Sequence, residues 1–511
     1  MSVCGIVGIH GPAPPVELGR RMRGRLTHRG PDGEGEIGFE HAWLGHTRLA
    51  IVDVEGGRQP LRTPDGELWM VGNGEVYNHK RLRAELLPDA EPRTESDNEV
   101  PLHLIGEHGP SSLRHLRGMY ALCAATAEGG FIAARDPVGI KPLFWARRDG
   151  RTVFASELKA FDDDWQGDVE LFPPGHVWTP QRGLERFHRV VPRELPQRWD
   201  PPTQPDQAVP NAMRDAIRDQ FVAAVEREMM ADVPVGVFLS GGLDSSLVAA
   251  IAARYEQHGG GPLHTFAVGT ADSPDLAAAR TVAEHLGTEH HERIYEPAEL
   301  VAVLREVIWA IESYDPSLVR SALPNYLLAE LASRTVKVVL TGEGADELFA
   351  GYEYVRAIDD HGELHTELVR TIAGLHSLNL QRADRVTMAH GLEARVPFLD
   401  LDMVAFGLSL PPEWKLTPPG EQEKRLLREA FEGWLPAEIL WREKAQFGDG
   451  SGAREALHPG AEEAPDEELH AVIDPQSGKP RNEEEAGYMA LYRERYPNAV
   501  PERTMSLFAT A

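Results

Sequence analysis

Residues 1–195 alternate short apolar runs with glycine and polar clusters, a spacing that predicts strands over 3–10, 46–53, 69–78, 119–125, 130–135, 143–146 and 152–156. The stretch 69–78 reads as a strand running into a turn broken by Gly72 and Gly74. Helical patterns are few here. One follows Thr94-Glu95-Ser96-Asp97-Asn98-Glu99, with Ser96 or Asp97 placed as its N-cap. Many short strands with few helices predict an α+β layered domain, sheet packed on sheet. Repeated proline without periodicity over 196–211 marks an extended linker between a domain at 1–195 and a second at 212–511. Beyond it the pattern changes. A helix is predicted over 212–229, and nearly pure apolar runs at 235–239, 264–269 and 336–340 each lead into helical stretches. Strands alternating with helices predict an α/β domain with a parallel sheet covered on both faces. Ligands on such a sheet bind beyond the carboxyl ends of its strands.

Composition narrows the picture without changing it. A chain of 511 residues is long enough for two cores. Its 42% apolar and 26% charged residues are those of a soluble globular protein. No apolar run approaches the roughly 18 residues of a membrane span, and the N-terminus lacks the basic and apolar regions of a secretory signal. Two cysteines, Cys4 and Cys123, argue against a disulfide framework and for a reducing, cytoplasmic location. A formal charge of -28 argues against nucleic-acid binding through backbone electrostatics. A homodimer is left open.

Two loops carry candidate chemistry. Ser240-Gly241-Gly242-Leu243-Asp244-Ser245-Ser246 joins the apolar run at 235–239 to a helical stretch. Backbone N–H groups and a helix N-terminus can there face an anion, and the hydroxyls can donate to phosphate oxygens. Asp244 repels phosphate, so its place beside one is to hold Mg²⁺. No Gly-Lys-Ser/Thr ends the loop, which excludes a Walker A motif. The run at 336–340 ends in Thr341-Gly342-Glu343-Gly344-Ala345-Asp346-Glu347, whose three carboxylates repel one another unless a cation sits nearby.

The first loop resembles the pyrophosphate loop of the N-type ATP pyrophosphatases, which split ATP between its α and β phosphates. Cys4-Gly5-Ile6, His28-Arg29-Gly30-Pro31-Asp32, Arg48-Leu49-Ala50-Ile51-Val52-Asp53, Asn73-Gly74-Glu75-Val76-Tyr77-Asn78 and Ser96-Asp97-Asn98-Glu99 follow one another as in class II glutamine amidotransferase domains. That resemblance implies an Ntn-type αββα fold. It implies Cys4 as the nucleophile on the glutamine amide, with its own α-amine as base. Asn73 and the Gly74 N–H would form the oxyanion hole. Arg48 would pair with the glutamine α-carboxylate, and Glu75 and Asp97 would hold its α-ammonium. Met1, Ser2 and Val3 precede Cys4, and an acylated amine is no base, so the working enzyme is expected to begin at Cys4.

With Gly391-Leu392-Glu393-Ala394-Arg395-Val396-Pro397-Phe398-Leu399-Asp400 and Trp441-Arg442-Glu443-Lys444, nearly the whole chain resembles the glutamine-hydrolysing asparagine synthetases. The resemblance implies adenylation of the aspartate side chain by ATP, then attack by ammonia. Ser240, Gly241, Gly242 and Ser245 would bind pyrophosphate, with Asp244 and Asp346 on Mg²⁺. Phe238, Val268, Thr341 and Gly342 would frame adenosine and its α-phosphate. Glu343 would act as base toward ammonia, while Arg320 and Lys444 neutralise phosphate charge. Ammonia is expected to cross between the domains by an apolar passage. Leu318 stands where relatives also carry a hydroxyl, leaving Ser317 alone, so a related synthetase acting on another carboxylic acid, with free ammonia, is the alternative. β-Lactam synthetases share both domains but have tyrosine where Glu343 stands. The Gly, Pro, Asp and Glu content of 448–480 predicts a mobile segment.

Overall fold

The computed structural model describes residues 4–195, 199–204, 207–256, 261–358, 360–417, 422–444, 472–473 and 479–508. Residues 1–3, parts of the proline-rich 196–211 and most of 448–480 lie outside these.

Antiparallel strands fill the first part of the chain: β1 (Cys4–His10), β2 (Gly33–Gly38), β3 (Ala42–Arg48), β4 (Leu61–Arg62), β5 (Leu68–Val76), β6 (Gly118–Thr126), β7 (Phe131–Arg135), β8 (Phe144–Arg148), β9 (Arg151–Ala155), β10 (Glu170–Leu171), β11 (His176–Thr179) and β12 (Gly183–Arg186). They form two sheets, ordered β10-β8-β9-β1-β3-β2 and β12-β11-β7-β6-β5-β4. Ile6, Leu44, Val71, Ala121 and Phe154 meet between them. Helix Val16–Gly24 lies against β1 and β3 on the outer face of the first sheet. Helices His79–Leu86 and Glu99–His108 pack through Leu82, Val100 and Leu104 onto the second. The result is helix, sheet, sheet, helix: the layered α+β domain that the strand pattern predicts.

Three local expectations change. β3 ends at Arg48 rather than running to residue 53. The chain turns there through Asp53, at φ 50°, because the Arg48 guanidinium donates to the carbonyls of Asp53 (2.6 Å) and Val54 (2.8 Å). β5 does not break at its glycines, since Gly72, Asn73 and Gly74 all pair with β6. Gly74 sits at φ 130°, and a Cβ would fall 1.9 Å from the Met119 carbonyl oxygen, so no other residue fits. Neither Ser96 nor Asp97 caps helix Glu99–His108, whose N-cap is Asn98 without a side-chain bond. Asp97 instead accepts the Val76 N–H at 2.6 Å and so serves β5.

No helix or strand occurs among the described residues between Arg186 and Asn211, where helix Asn211–Glu228 begins. The second part of the chain holds β13 (Val235–Phe238), β14 (His264–Gly269), β15 (Glu289–Ile294), β16 (Val338–Leu340) and β17 (Glu393–Arg395). All are parallel, in the order β15-β14-β13-β16-β17. The order runs outward from β13 one way, then back past it, so chain direction switches between β13 and β16. The loops leaving these two neighbours open a crevice at the carboxyl edge. Helix Leu243–Glu256, buried on nearly every side from Leu243 to Ala253, fixes one wall of it. No described helix is long and apolar enough to cross a membrane.

Candidate functional site

β1 and β3 pair so that Cys4 faces Arg48 across the ladder, while the apposed second sheet brings Asn73 to the same point. The Cys4 N–H donates to Asn73 Oδ1 at 2.9 Å. That bond orients the amide, leaving Asn73 Nδ2 as a buried donor without a protein partner among the described residues. A buried donor left unmade is costly unless something else fills it, and an oxyanion forming on a bound amide would. Burial pushes the Cys4 thiol well up, a backbone hydrogen bond at Leu49 and then the Arg48 charge only partly offsetting it. A thiol so placed needs a base beside it to become a nucleophile. Arg48 is 6% exposed. Glu75, two residues along β5 from Asn73, lies 3.7 Å from Arg395 Nη2 in the second domain. Cys4, Arg48, Asn73, Gly74, Glu75 and Asp97 thus share one end of the two-sheet domain.

The second constellation forms at the switch point. Gly241 has φ 73°, and a Cβ there would fall 2.5 Å from the Ala278 Cβ, so the loop lies directly on helix Pro274–Leu286. Ser240 and Ser245 hold the loop closed, their hydroxyls 3.0 Å apart and the Ser240 N–H donating to Ser245 Oγ at 3.2 Å. Gly242 N–H donates to Ser240 Oγ. From β16, Gly342 approaches so closely that a Cβ would lie 2.9 Å from that of Asp244. Asp244 and Asp346 therefore converge, and the Lys424 ammonium sits between them, 2.5 Å from Asp244 Oδ2 and 2.7 Å from Asp346 Oδ1. Lys444 adds a second ammonium 2.8 Å from Asp346 Oδ1 and 3.0 Å from the Gly351 carbonyl. Burial acts to raise Asp346, but Lys424 and Lys444 outweigh it and hold the carboxyl well below its usual range. Asp244 moves the other way, since burial and the Asp346 charge exceed what Lys424 returns. Asp244 Oδ1 is buried without a hydrogen-bond partner among the described residues. Two converging carboxylates with an oxygen to spare fit a hard divalent cation.

The other residues singled out from sequence lie elsewhere in the second domain, some on its sheet and some turned to other partners. Phe238 ends β13, Val268 lies on β14, and the Thr341 N–H donates to the Arg395 carbonyl at 2.9 Å. Glu343 is ion-paired with Arg382, which also donates to Ser321 Oγ at 3.0 Å. Arg320 is turned toward Glu484 (2.7 Å) and Ser317 Oγ (3.3 Å). Leu318 is fully buried in the apolar core behind the start of helix Pro316–Ala332.

Sequence reasoning missed Lys424 and Arg382, and saw Glu347 and Arg442 in their motifs without giving either a role of its own. Lys424 lies in the charged stretch Glu421-Gln422-Glu423-Lys424-Arg425, yet it is 2% exposed at φ 58°. Arg442 donates to the Gly241 carbonyl and pairs with Asp275 at 2.8 Å. Burial and the neighbouring Asp346 push Glu347 up, and it accepts the Tyr352 hydroxyl at 2.5 Å. Arg29 was visible in its motif without a role. It donates to the Cys4 carbonyl at 3.1 Å and reaches across to Asp384 at 2.8 Å.

Residues 3–174 match the family described as a glutamine amidotransferase domain, and residues 216–360 and 356–491 match asparagine synthase. The chain is 43% identical over 455 residues to asparagine synthetase (glutamine-hydrolyzing) 3 of Arabidopsis thaliana, spanning 86% of this chain and 76% of that one. It is 41% identical over 472 residues to the asparagine synthetase (glutamine-hydrolyzing) of Asparagus officinalis, 88% of this chain and 78% of the other. A probable asparagine synthetase (glutamine-hydrolyzing) of Schizosaccharomyces pombe is 38% identical over 539 residues, spanning 98% of this chain and 95% of its own. Matched along both halves and in the same order, this chain belongs to the glutamine-hydrolysing asparagine synthetases.

Proposed function

We propose that the chain converts aspartate to asparagine, spending ATP to AMP and pyrophosphate and taking its nitrogen from glutamine. The observation that carries the synthetase half is the meeting of Asp244 and Asp346, from the loops after β13 and β16, on one cationic position at the switch point. Asp244 and Asp346 would hold Mg²⁺, which when bound neutralises charge on the leaving pyrophosphate. The N–H groups of the Ser240–Ser245 loop and the start of helix Leu243–Glu256 cradle the departing phosphates. Phe238, Val268, Thr341 and Gly342 line the nucleotide side, and Lys444 stabilises phosphate charge as it develops. Arg320 joins it once released from Glu484. Glu343, held by Arg382 until substrate competes for the guanidinium, takes a proton from the incoming ammonia.

In the other half, Cys4 attacks the glutamine amide and Asn73 Nδ2 with the Gly74 N–H binds the oxyanion. Arg48 meets the glutamine α-carboxylate, while Glu75 and Asp97 form its ammonium side. Removal of residues 1–3 would free the Cys4 nitrogen as base, and its bond to Asn73 Oδ1 would hold that amine in place. Mass measurement on the active protein tests this: an active glutaminase still carrying Ser2 would refute it.

The test of the whole is product analysis with ATP, aspartate and glutamine or ammonium. Asparagine, AMP and pyrophosphate are expected in equal amounts. Formation of ADP, or exchange of pyrophosphate into ATP with another carboxylic acid but not aspartate, would overturn the assignment.

A further inference from the structure

A cluster unrelated to either site lies at the opposite, amino edge of the parallel sheet. β14 begins at His264 and β15 at Glu289, and their register sets His264 beside Glu289 and Phe266 beside His291. Glu289 and His291 are two residues apart, and His264 is level with Glu289, so all three project from one face. His264 Nδ1 and His291 Nε2 are 3.2 Å apart. The Glu289 carboxylate lies 3.8 Å from the former and 3.7 Å from the latter. Ligand atoms around a tetrahedral Zn²⁺, at bonds of about 2.0–2.1 Å, sit roughly 3.3 Å from one another. The two imidazoles already hold that spacing. The two Glu289 distances are to different carboxylate oxygens, Oε2 and Oε1, and with all three ligand groups within 4.8 Å of one another the exposed Glu289 side chain closes the shell by rotating toward the pair. Phe266 stacks on the His291 ring at 5.0 Å and 15°, fixing its plane. His290, between the ligands in sequence, turns to the other face and meets Thr265 Oγ1 at 3.0 Å.

We propose that His264, Glu289 and His291 bind one transition-metal ion of the Zn²⁺ class, with water in the fourth position. Two imidazoles and one carboxylate select Zn²⁺, Co²⁺ or Ni²⁺ over Mg²⁺ and Ca²⁺, which prefer all-oxygen shells. The side chains are partly exposed, so the ion enters from solvent. Bound there, it ties the edge strand β15 to β14 and stabilises the folded chain.

Co²⁺ titration of full-length, tag-free, chelator-treated protein tests this. One equivalent is expected to give the intense visible absorption of a four-coordinate site, bleached by Zn²⁺, and Zn²⁺ is expected to raise the unfolding midpoint. Co²⁺ at Asp244 and Asp346 would be six-coordinate and lack that band. Glu289→Gln, at an exposed position, should weaken binding at least about tenfold while leaving the metal-free midpoint unchanged. His264→Gln should abolish the band. Absence of the band in the wild-type protein, or wild-type affinity in both variants, would overturn the proposal and leave a hydrogen-bonded imidazole pair.

Discussion

Lys424 shows how much the synthetase site asks of a single side chain. A non-glycine residue at positive φ costs about 1–3 kcal/mol, yet Lys424 adopts φ 58° and buries its ammonium between two carboxylates. Without it, the two carboxylates would share their partly buried site with only the Lys444 ammonium at Asp346, a loss on the order of 2–3 kcal/mol, below that of a fully buried pair. Lys424→Met is therefore expected to lower stability by that amount in chelator and to lose synthesis, while glutaminase activity persists. Mg²⁺ should raise the variant's unfolding midpoint more than that of the wild type, because the cation supplies the missing charge. An equal Mg²⁺ shift in both proteins would mean that the two carboxylates do not form a cation site. In the other domain, Asn73 Nδ2 is buried without a hydrogen-bond partner among the described residues and is proposed as the oxyanion donor. Asn73→Ala should cut glutamine hydrolysis about 10²–10³-fold in kcat and leave ammonium-dependent synthesis near the wild-type rate. Parallel glutaminase and ammonium-driven assays separate the two effects.

At the scale of elements, what the sequence revealed was whatever has a local signature. The apolar runs of β13, β14 and β16, the glycine loop at Ser240–Asp244 and the acidic loop at Glu343–Asp346 all announce themselves within about ten residues. β15, reading Glu-His-His-Glu-Arg-Ile, carries no apolar run because it is an edge strand. β17 is three residues long and was visible only as a motif. The missing site residues fail for a different reason. Lys424 lies 180 positions from Asp244, and Arg382 is 39 from Glu343, so only folding reveals either pair. The short helix Pro412–Lys415 holds another such case. Lys415 is 1% exposed, and its Nζ has no hydrogen-bond partner among the described residues. Burial pulls its pKa down from 10.5 to about 7. The unfolded chain thus binds this proton more tightly, so stability falls as pH drops from about 10.5 toward 7 and levels off below. Lys415→Met should be more stable than the wild type at pH 7, by on the order of 2 kcal/mol, and the gap should narrow by pH 9.5. Denaturant unfolding at the two pH values checks it; a gap that widens with pH would contradict the depressed lysine.

Across the whole molecule, the two domains meet in a buried charged seam rather than an apolar contact alone. Arg29, fully buried, donates to the Cys4 carbonyl, to Glu157 at 2.5 Å, and through both terminal nitrogens to Asp384 of the second domain. Arg385 continues the chain to Glu312 at 3.1 Å, and Lys159 closes it on Glu157 at 2.8 Å. Glu75, beside the proposed oxyanion hole, likewise reaches Arg395, whose carbonyl accepts the Thr341 N–H of the loop after β16. Fixed hydrogen bonds thus run from the Cys4 carbonyl through Arg29 to Asp384 of the second domain, and we propose that they couple glutamine hydrolysis to use of the ammonia. Asp384 is the point where the seam is most exposed to test. Burial acts to raise its carboxyl, but Arg29 and Lys141 outweigh that and bring it down to about 2. Its folded pKa is depressed, so its contribution is complete above the unfolded value near 3.8 and is lost as pH falls toward 2. Asp384→Asn keeps the shape and removes the charge, leaving Arg29 with Glu157 alone. We expect glutamine hydrolysis and ammonium-driven synthesis each to survive within a few-fold, while the glutamine consumed per asparagine formed rises severalfold as ammonia escapes. The ratio of glutamate to asparagine during glutamine-driven turnover measures this directly, with an external ammonia trap to collect what leaks. A ratio that stays at one, with both half-activities intact, would show that the seam holds the domains together without coupling them.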